Sequence, residues 1–500
     1  MGREGRNILV GERLPTRGPW RPEPAPRPRS RPDRMTDWID QELATLDLGD
    51  EKLHRRQKLI LDRFAAKPTA SIPGACRGWA ETQGAYRFFA HPRVTPEEVL
   101  RPHSEATLAR LAEHPVVLLP QDTTELDFTR PKKPVAGAGP LNWEERTGFF
   151  LHPQLAVTPE RLPLGVIEAT FWGRDPDDHG KHVRRKARPI EAKESYRWVE
   201  GYRRACAVAA AVPGTRVVSI ADSEGDIYEC LAEAQAVDGP RADWIIRACQ
   251  DRSTTRKRSD EDRTFLKLWE TVAARPLLGR LTVQVPRSGD RPAREATVTV
   301  RSARVELKPP YRPDRKLPVV TVNAVLIREE SAPAGAEPIE WLLLTGLPVA
   351  TFAEAATVVD YYSCRWPVEV FFRIYKSGCR VEEIQLESED RLLPCLALYL
   401  IVAWRVHWLT MLGRSCPELP CDAVFAEEEW RSVWTIVRRE PAPAAAPPLE
   451  VMIGLVASLG GYLGRKHDGP PGAQVLWIGL QRMRDFALAW QAFGPRPAKE

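Results

Sequence analysis

Between Thr36 and Arg101 apolar side chains fall in a helical pattern, with Trp38, Ile39, Leu43, Leu46 and Leu48, then Leu53, Leu59, Ile60 and Phe64, several of them three or four positions apart. That spacing puts them on one face of a helix. His54, Arg55, Arg56, Lys58, Arg63 and Lys67 supply a polar, basic side. The break at Pro68–Pro73 ends the first run, and GACRGWAETQGAYRFFAHPRVTPEEVL reads as further short helices with tight turns. The pattern predicts a small all-helical module over residues 35–105.

At Val116 the rhythm changes. VVLLP, GFFLHPQLAVT and GVIEATFW are β-branched and aromatic runs of strand length. A helix from Glu191 to Val212 follows, then the strand TRVVSIA and a helix from Asp226 to Ala236. This order predicts a mixed sheet with helices on its faces. Residues 240–350 read as a β-rich insertion: WIIRAC, LTVQV, EATVTVRSARVEL, PVVTVNAVLIREE and EWLLLTGL are strands separated by Pro, Gly and charged turns. Helix returns at Phe352–Tyr362 and Val368–Lys376. After EPAPAAAPP, residues 449–494 form a last helical block, and residues 416–500 group as a helical C-terminal region. The span 106–415 between the two helical modules is then the α/β part.

The segment Leu393–Leu412 is the most apolar, but Pro394, Arg405 and His407 interrupt it. A buried core helix is expected there rather than a membrane span. Residues 1–34 hold seven prolines and nine arginines with no apolar periodicity, so disorder is expected, as a basic arm or ahead of a translation start at Met35. Their nine arginines against four acids account for the whole formal net charge of +5, leaving residues 35–500 neutral. Any nucleic-acid contact must therefore come from segregated basic surface and from metal ions. The basic side of the N-terminal module is one such surface, or simply a solvated amphipathic face. Nine scattered cysteines form no paired C-x-x-C or His motif, which argues against a zinc site or a disulfide framework and for reduced thiols in a cytoplasm.

Three acids stand out. Asp122 follows the run VVLLP and Asp222 follows VVSIA, so both sit where a buried strand would end and project an acid toward a ligand. A cap or turn role explains either one alone, and capping explains Asp226 well. Glu369 lies in YYSCRWPVEVFFRIYKSG, with Tyr362, Arg365 and Lys376 in the spacing Y-x2-R-x3-E-x6-K. Pro367 fits the first turn of a new helix, and Glu369, Arg373 and Lys376 would share one face of it. Aromatics interleaved with cations suit stacked bases and held phosphates, with a solvated Glu–Arg pair as the plain alternative. Acids gathered from a sheet and a helix can hold two divalent cations beside a phosphodiester.

The spacing resembles the YREK signature of bacterial DDE transposases of insertion-sequence family four. GAYRFFAHPRV, QDTT, DSEGDIYE, EWLLLTGLPV, RWPVEVFFRIYKSG and SLGGYLGRKHDGPPGAQVLW carry the likeness across nearly everything after Met35. The resemblance implies an α/β fold: a ribonuclease-H-like catalytic core interrupted by a β-strand insertion, with all-helical N-terminal and C-terminal modules. It implies Asp122, Asp222 and Glu369 as catalytic ligands of two Mg²⁺ ions, with Mn²⁺ as a substitute. Tyr362 and Arg365 would grip a phosphate beside a flipped base, Trp341 would stack on that base, and Arg373, Lys376 and Arg247 would neutralise phosphates. The partners implied are double-stranded DNA (terminal inverted repeats and target) and a second copy of the chain. The expected location is the bacterial cytoplasm, on the nucleoid when DNA is bound, with no membrane partner.

The implied activity is cut-and-paste cleavage and strand transfer through a hairpin intermediate. A nuclease that cleaves without joining, or a catalytically silent DNA-binding derivative, shares the fold. A glycosidase acid pair leaves the cations and aromatics around Glu369 unexplained. One departure stands out: Ser223 follows Asp222 where relatives often carry Arg.

Overall fold

The structure, a computed structural model, describes residues 9–10, 37–130, 133–143, 145–176, 188–236, 240–258, 264–285 and 294–494. Most of the segment expected to be disordered, residues 1–34, lies outside the described residues. Leu9–Val10 is the described part of it and forms a short edge strand, β1.

Five helices open the chain: α1 (Asp37–Glu42), α2 (Glu51–Ala66), α3 (Ile72–Ala75), α4 (Trp79–Phe89) and α5 (Pro96–Leu111). Their starts follow from local chemistry. The Asp50 side chain accepts the Lys52 N–H at 2.7 Å to cap α2. Thr95 caps α5, with Pro96 at a position where a missing N–H costs nothing. A buried polar triad ties the module to the rest. Glu42 of α1 takes two bonds from Arg110 (2.9 and 3.0 Å) and one from His103 Nδ1 (2.5 Å). His103 Nε2 accepts the Val166 N–H at 2.9 Å, which fixes the neutral tautomer. Although burial alone would raise it, the partners hold Glu42 down at about 2. Arg63, placed above on the basic side, is instead paired with Glu81 and Asp62, its side chain only 12% exposed. The solvated basic face is correspondingly narrower.

The sheet begins with β2 (Val116–Pro120), β3 (Thr124–Asp127), β4 (Gly139–Pro140), β5 (Thr147–Val157) and β6 (Pro163–Trp172). Helix α6 (Tyr196–Ala211) leads to β7 (Arg216–Ala221), and α7 (Tyr228–Ala236) to β8 (Asp243–Arg247). β5 pairs antiparallel with β6, β3 and β2, while β7 pairs parallel with β2 and β8 parallel with β7. Every residue of β2 is apolar and β7 buries five residues, all apolar but Ser219, so strand and register are set by burial.

The strands read as an insertion do not form a separate layer, and the first of them, WIIRAC, is β8, which lies beside β7. β9 (Ser253–Lys257), β10 (Phe265–Lys267), α8 (Leu268–Ala273), β11 (Gly279–Val285), β12 (Arg294–Leu307), β13 (Val320–Glu329) and β14 (Glu340–Thr345) extend the same sheet. β14 pairs antiparallel with β8, so the strands run β1-β11-β12-β13-β14-β8-β7-β2-β5-β3.

The chain then returns through α9 (Phe352–Ser363), opened by a Thr351–Glu354 capping box, and α10 (Trp366–Arg373), with Pro367 in its first turn. Residues Ile374–Gly378 continue α10 as a π-helical turn. Helix α11 (Glu389–Ser415) is the one described helix long and apolar enough to cross a membrane, but its apolar window is 83% buried inside the fold. Its Tyr399 ring stacks on Phe64 of α2 at 4.5 Å, joining the N-terminal module to the core. Helices α12 (Glu427–Arg438), α13 (Leu449–Leu459) and α14 (Ala473–Phe493) pack at its far end around Trp430, Met452 and Leu476. The whole is a mixed α/β fold with helical regions at both ends.

Candidate active site

Parallel strands in register bring their ends abreast. β2 and β7 pair Pro120 with Ile220, and the Gln121 N–H continues the ladder to the Ile220 carbonyl at 3.0 Å. Two residues on, the chains reach Asp122 and Asp222 side by side. β8 pairs Ile246 with Ala221, which sets Arg247 beside Asp222. Side chains at one strand end thus include both predicted acids and one predicted cation.

The third acid arrives from α10. Arg365, at the junction of α9 and α10, donates from one Nη to Asp122 and to Glu369, the latter at 3.2 Å. Its guanidinium lies between the two carboxylates. Burial opposes its charge, but Asp122, Tyr362, Glu369 and Asp222 around it more than compensate, and its pKa rises. Asp122 is pushed up to about 7: burial is the largest cause, Arg365 opposes it, and the charges of Asp222 and Glu369 add to it. Three acids sharing one buried cation are short of positive charge.

Tyr362 completes this group. It is 3% exposed, and burial pushes its phenol pKa up, while Arg247 and Arg365 act in the opposite direction. Trp341, expected to stack on a base, is 6% exposed and packs edge-on to the Tyr362 ring at 5.1 Å. It forms the wall behind Tyr362 and offers no open ring face to solvent.

Arg373 and Lys376 part company. The π-helical turn breaks the shared face that α-helical spacing predicts. Arg373 is exposed and reaches Gln474 of α14 at 3.2 Å. Lys376 instead donates to the Glu125 carbonyl of β3 at 2.8 Å, with Glu382 at 3.4 Å. The same turn lets the buried Tyr375 hydroxyl bond the Leu396 carbonyl in α11.

Two acids near Asp222 have distinct tasks. Asp222 accepts the Glu224 N–H at 2.8 Å and caps a 3₁₀ turn, which leaves its other oxygen for the site. Asp226 is not the helix cap expected above. Its fully buried carboxylate accepts the N–H groups of Cys249 and Gln250, each at 2.8 Å, and pairs with Arg252. Asp226 fastens the exit of β8 to the start of α7.

Sequence reasoning missed Arg197 of α6 and His152 of β5. Arg197 donates to Thr123 Oγ1 (2.9 Å) and to Glu224 (2.8 Å). His152 sits beneath the Asp122 turn, 5% exposed, and burial pushes its pKa down to about 3. Nothing in the local patterns of SYRWVEGY or FFLHPQL marks either residue; pairing across elements creates the role. Ser223, noted as a lost cation, accepts a bond from Arg247 at 3.3 Å, so Arg247 and Arg197 supply positive charge on its two sides.

A hard divalent cation takes oxygen ligands, and Asp122, Asp222 and Glu369 are all oxygen donors. Their shared deficit of positive charge suits such an ion. Among the described residues, however, no three His, Cys, Asp or Glu side chains stand at metal-ligating spacing. The Arg365 guanidinium lies between Asp122 and Glu369, where an ion held by both would have to displace it. The ligand must also ionise. With the Asp122 pKa pushed up to about 7, any Mn²⁺ binding at this acid should strengthen about tenfold between pH 6 and pH 8 and then level off. Titration calorimetry at the two pH values checks this, and equal affinities would contradict it.

Residues 35–94 match the family model described as transposase DNA-binding. Residues 401–492 match the model described as the transposase Tn5 dimerisation domain. The two matches support a Tn5-like transposase. The first covers α1 to α4 and the second runs from the middle of α11 to α14, so the two transposase matches lie at opposite ends of the chain. Among solved structures, a piggyBac transposase synaptic complex with hairpin DNA is similar over 76% of this chain and 72% of that one, at 9% identity and a TM-score of 0.34.

Proposed function

We propose that the protein is a metal-dependent cut-and-paste DNA transposase of the YREK, DDE type. The N-terminal helices bind the terminal inverted repeats, and the C-terminal helices pair two copies so that two ends are handled together. The observation that carries the reading is the convergence of three distant acids: Asp122 and Asp222 at the ends of in-register parallel strands, and Glu369 joined to Asp122 through Arg365. Strand order supports a ribonuclease-H-like core, because β6-β5-β2-β7-β8 has three antiparallel strands followed by two parallel ones.

Asp122, Asp222 and Glu369 are the residues that would hold Mg²⁺ or Mn²⁺. Such ions, when bound, supply Lewis-acid activation of water or a 3′-hydroxyl and neutralise the leaving oxygen. The chain's own residues do the rest. Arg365, released from the carboxylates, is placed to meet the substrate phosphate with Tyr362, and Arg247 sits on the opposite side of the strand ends. Tyr362 and Trp341 form a dry wall that excludes water from the reacting group. Nicking one strand frees a 3′-hydroxyl; attack on the other strand closes a hairpin, whose opening leaves an end for joining to target DNA.

The test is strand transfer. With the inverted repeats flanking the gene as substrate, the protein should join a pre-cleaved end to a plasmid when Mg²⁺ is present. Cleavage without joined product would identify a nuclease instead, and binding with neither reaction would identify a silent derivative.

A further inference from the structure

Asp122 is flanked by Gln121 and Thr123. In extended chain those two side chains leave on the face opposite to Asp122. There they meet one residue, His152: Thr123 Oγ1 lies 2.9 Å from Nδ1 and Gln121 Oε1 lies 3.1 Å from Nε2. The bond directions follow from the partners. Gln121 turns its amide nitrogen to Ser219 Oγ at 3.3 Å, so its oxygen accepts from a His152 Nε2–H. The neutral ring then accepts at Nδ1, from the Thr123 hydroxyl. That hydroxyl oxygen in turn accepts from Arg197 Nε at 2.9 Å. The ring of His152 stands edge-on to Trp198 at 4.8 Å, which fixes its plane.

The path continues to the second acid. Arg197 donates to the Glu224 carboxylate at 2.8 Å, the Glu224 N–H donates to Asp222 at 2.8 Å, and the Thr123 N–H donates to Asp122 at 2.8 Å. An unbroken run of bonds therefore leads from Asp122 through Thr123, Arg197 and Glu224 to Asp222, with His152 bracing it at Thr123. We infer that Thr123, His152 and Arg197 are positioning residues that hold the two strand-end carboxylates at a fixed separation for the reaction. None of the three needs to touch the reacting atoms; they act through the orientation of the acids. Preorganised ligands lose little on binding a cation, whereas loosened ones must be reordered at each encounter.

This inference rests on the metal-dependent reading above, and the experiment separates the two. Thr123→Val removes the hydroxyl and keeps the shape, Thr123→Ser keeps the hydroxyl, and Arg197→Met removes the donor from the other side should the first variant fold poorly. Each full-length protein, bound to end DNA, is titrated with Mn²⁺ by electron paramagnetic resonance, and its cleavage rate is measured alongside. Loss of an outer partner of this kind should weaken Mn²⁺ binding and slow cleavage by about 10–100-fold in Thr123→Val and Arg197→Met. Thr123→Ser should restore both, and the affinity for end DNA should not change in any variant. Wild-type Mn²⁺ affinity and rate in Thr123→Val, or equal damage in Thr123→Ser, would overturn the positioning role. A wild-type protein that binds no Mn²⁺ and cleaves without divalent ions would overturn the underlying reading as well.

Discussion

Glu369→Gln is expected to abolish end cleavage while leaving end-DNA binding intact. The carboxylate is 38% exposed and holds one bond, from Arg365, so a neutral isostere fits without disturbing the core. Substitutions at such positions change stability by about 0.5 kcal/mol or less. Catalysis is a different matter. Removing one of three acids from a site that must stabilise developing charge should slow cleavage by about a thousandfold or more, roughly 4 kcal/mol of barrier. Gel-shift titration and a cleavage time course on the same preparation check both halves. Undiminished Mg²⁺-dependent nicking would remove Glu369 from the mechanism.

Asp226→Ala is expected to act on the fold instead. Its carboxylate has no exposed surface and satisfies Arg252 and two backbone N–H groups at once. Truncation takes the carboxylate from the Cys249 and Gln250 N–H groups and from one Arg252 nitrogen, and breaking a buried pair in this way costs about 3–5 kcal/mol. The loop after β8 would lose its anchor to α7, so the melting temperature should fall by several degrees and the C-terminal end of β8 should exchange amide hydrogens faster. Asp222→Ala, four residues earlier, should melt close to wild type, because Asp222 holds only the Glu224 N–H. Thermal melts of the two variants side by side distinguish a structural acid from a site acid. A melting temperature for Asp226→Ala equal to wild type would contradict the anchoring role.

In ADSEGD the strand end marks Asp222 as the site candidate, but nothing in the sequence shows that Asp226 is a buried anchor rather than a helix cap. What separates them is whether the tertiary neighbours are donors that satisfy the charge, as at Asp226, or other acids, as at Asp222. Strand ends were legible because β-branched runs such as VVLLP and VVSIA mark buried strands and end at polar residues. The Pro367 helix start and the apolar α11 were legible for similarly local reasons. Register between β2 and β7 was not, since it depends on pairing across nearly a hundred residues, and neither was the edge-to-edge union of the insertion with the core sheet through β14 and β8. Helical periodicity misplaced Arg373 and Lys376 because a single π-helical turn changes the angle between neighbouring side chains. Trp341, which the resemblance implies as a base-stacking ring, lies in β14 inside the sheet and is carried into the core.

The most direct test of the site is where manganese binds. Crystals of the protein on its end DNA, grown with Mn²⁺ above pH 7, should show anomalous density touching oxygens of Asp122, Asp222 and Glu369 together, with the Arg365 guanidinium displaced toward a phosphate. Density elsewhere, or Arg365 still seated between Asp122 and Glu369 in a complex that cleaves DNA, would contradict the proposed convergence on metal.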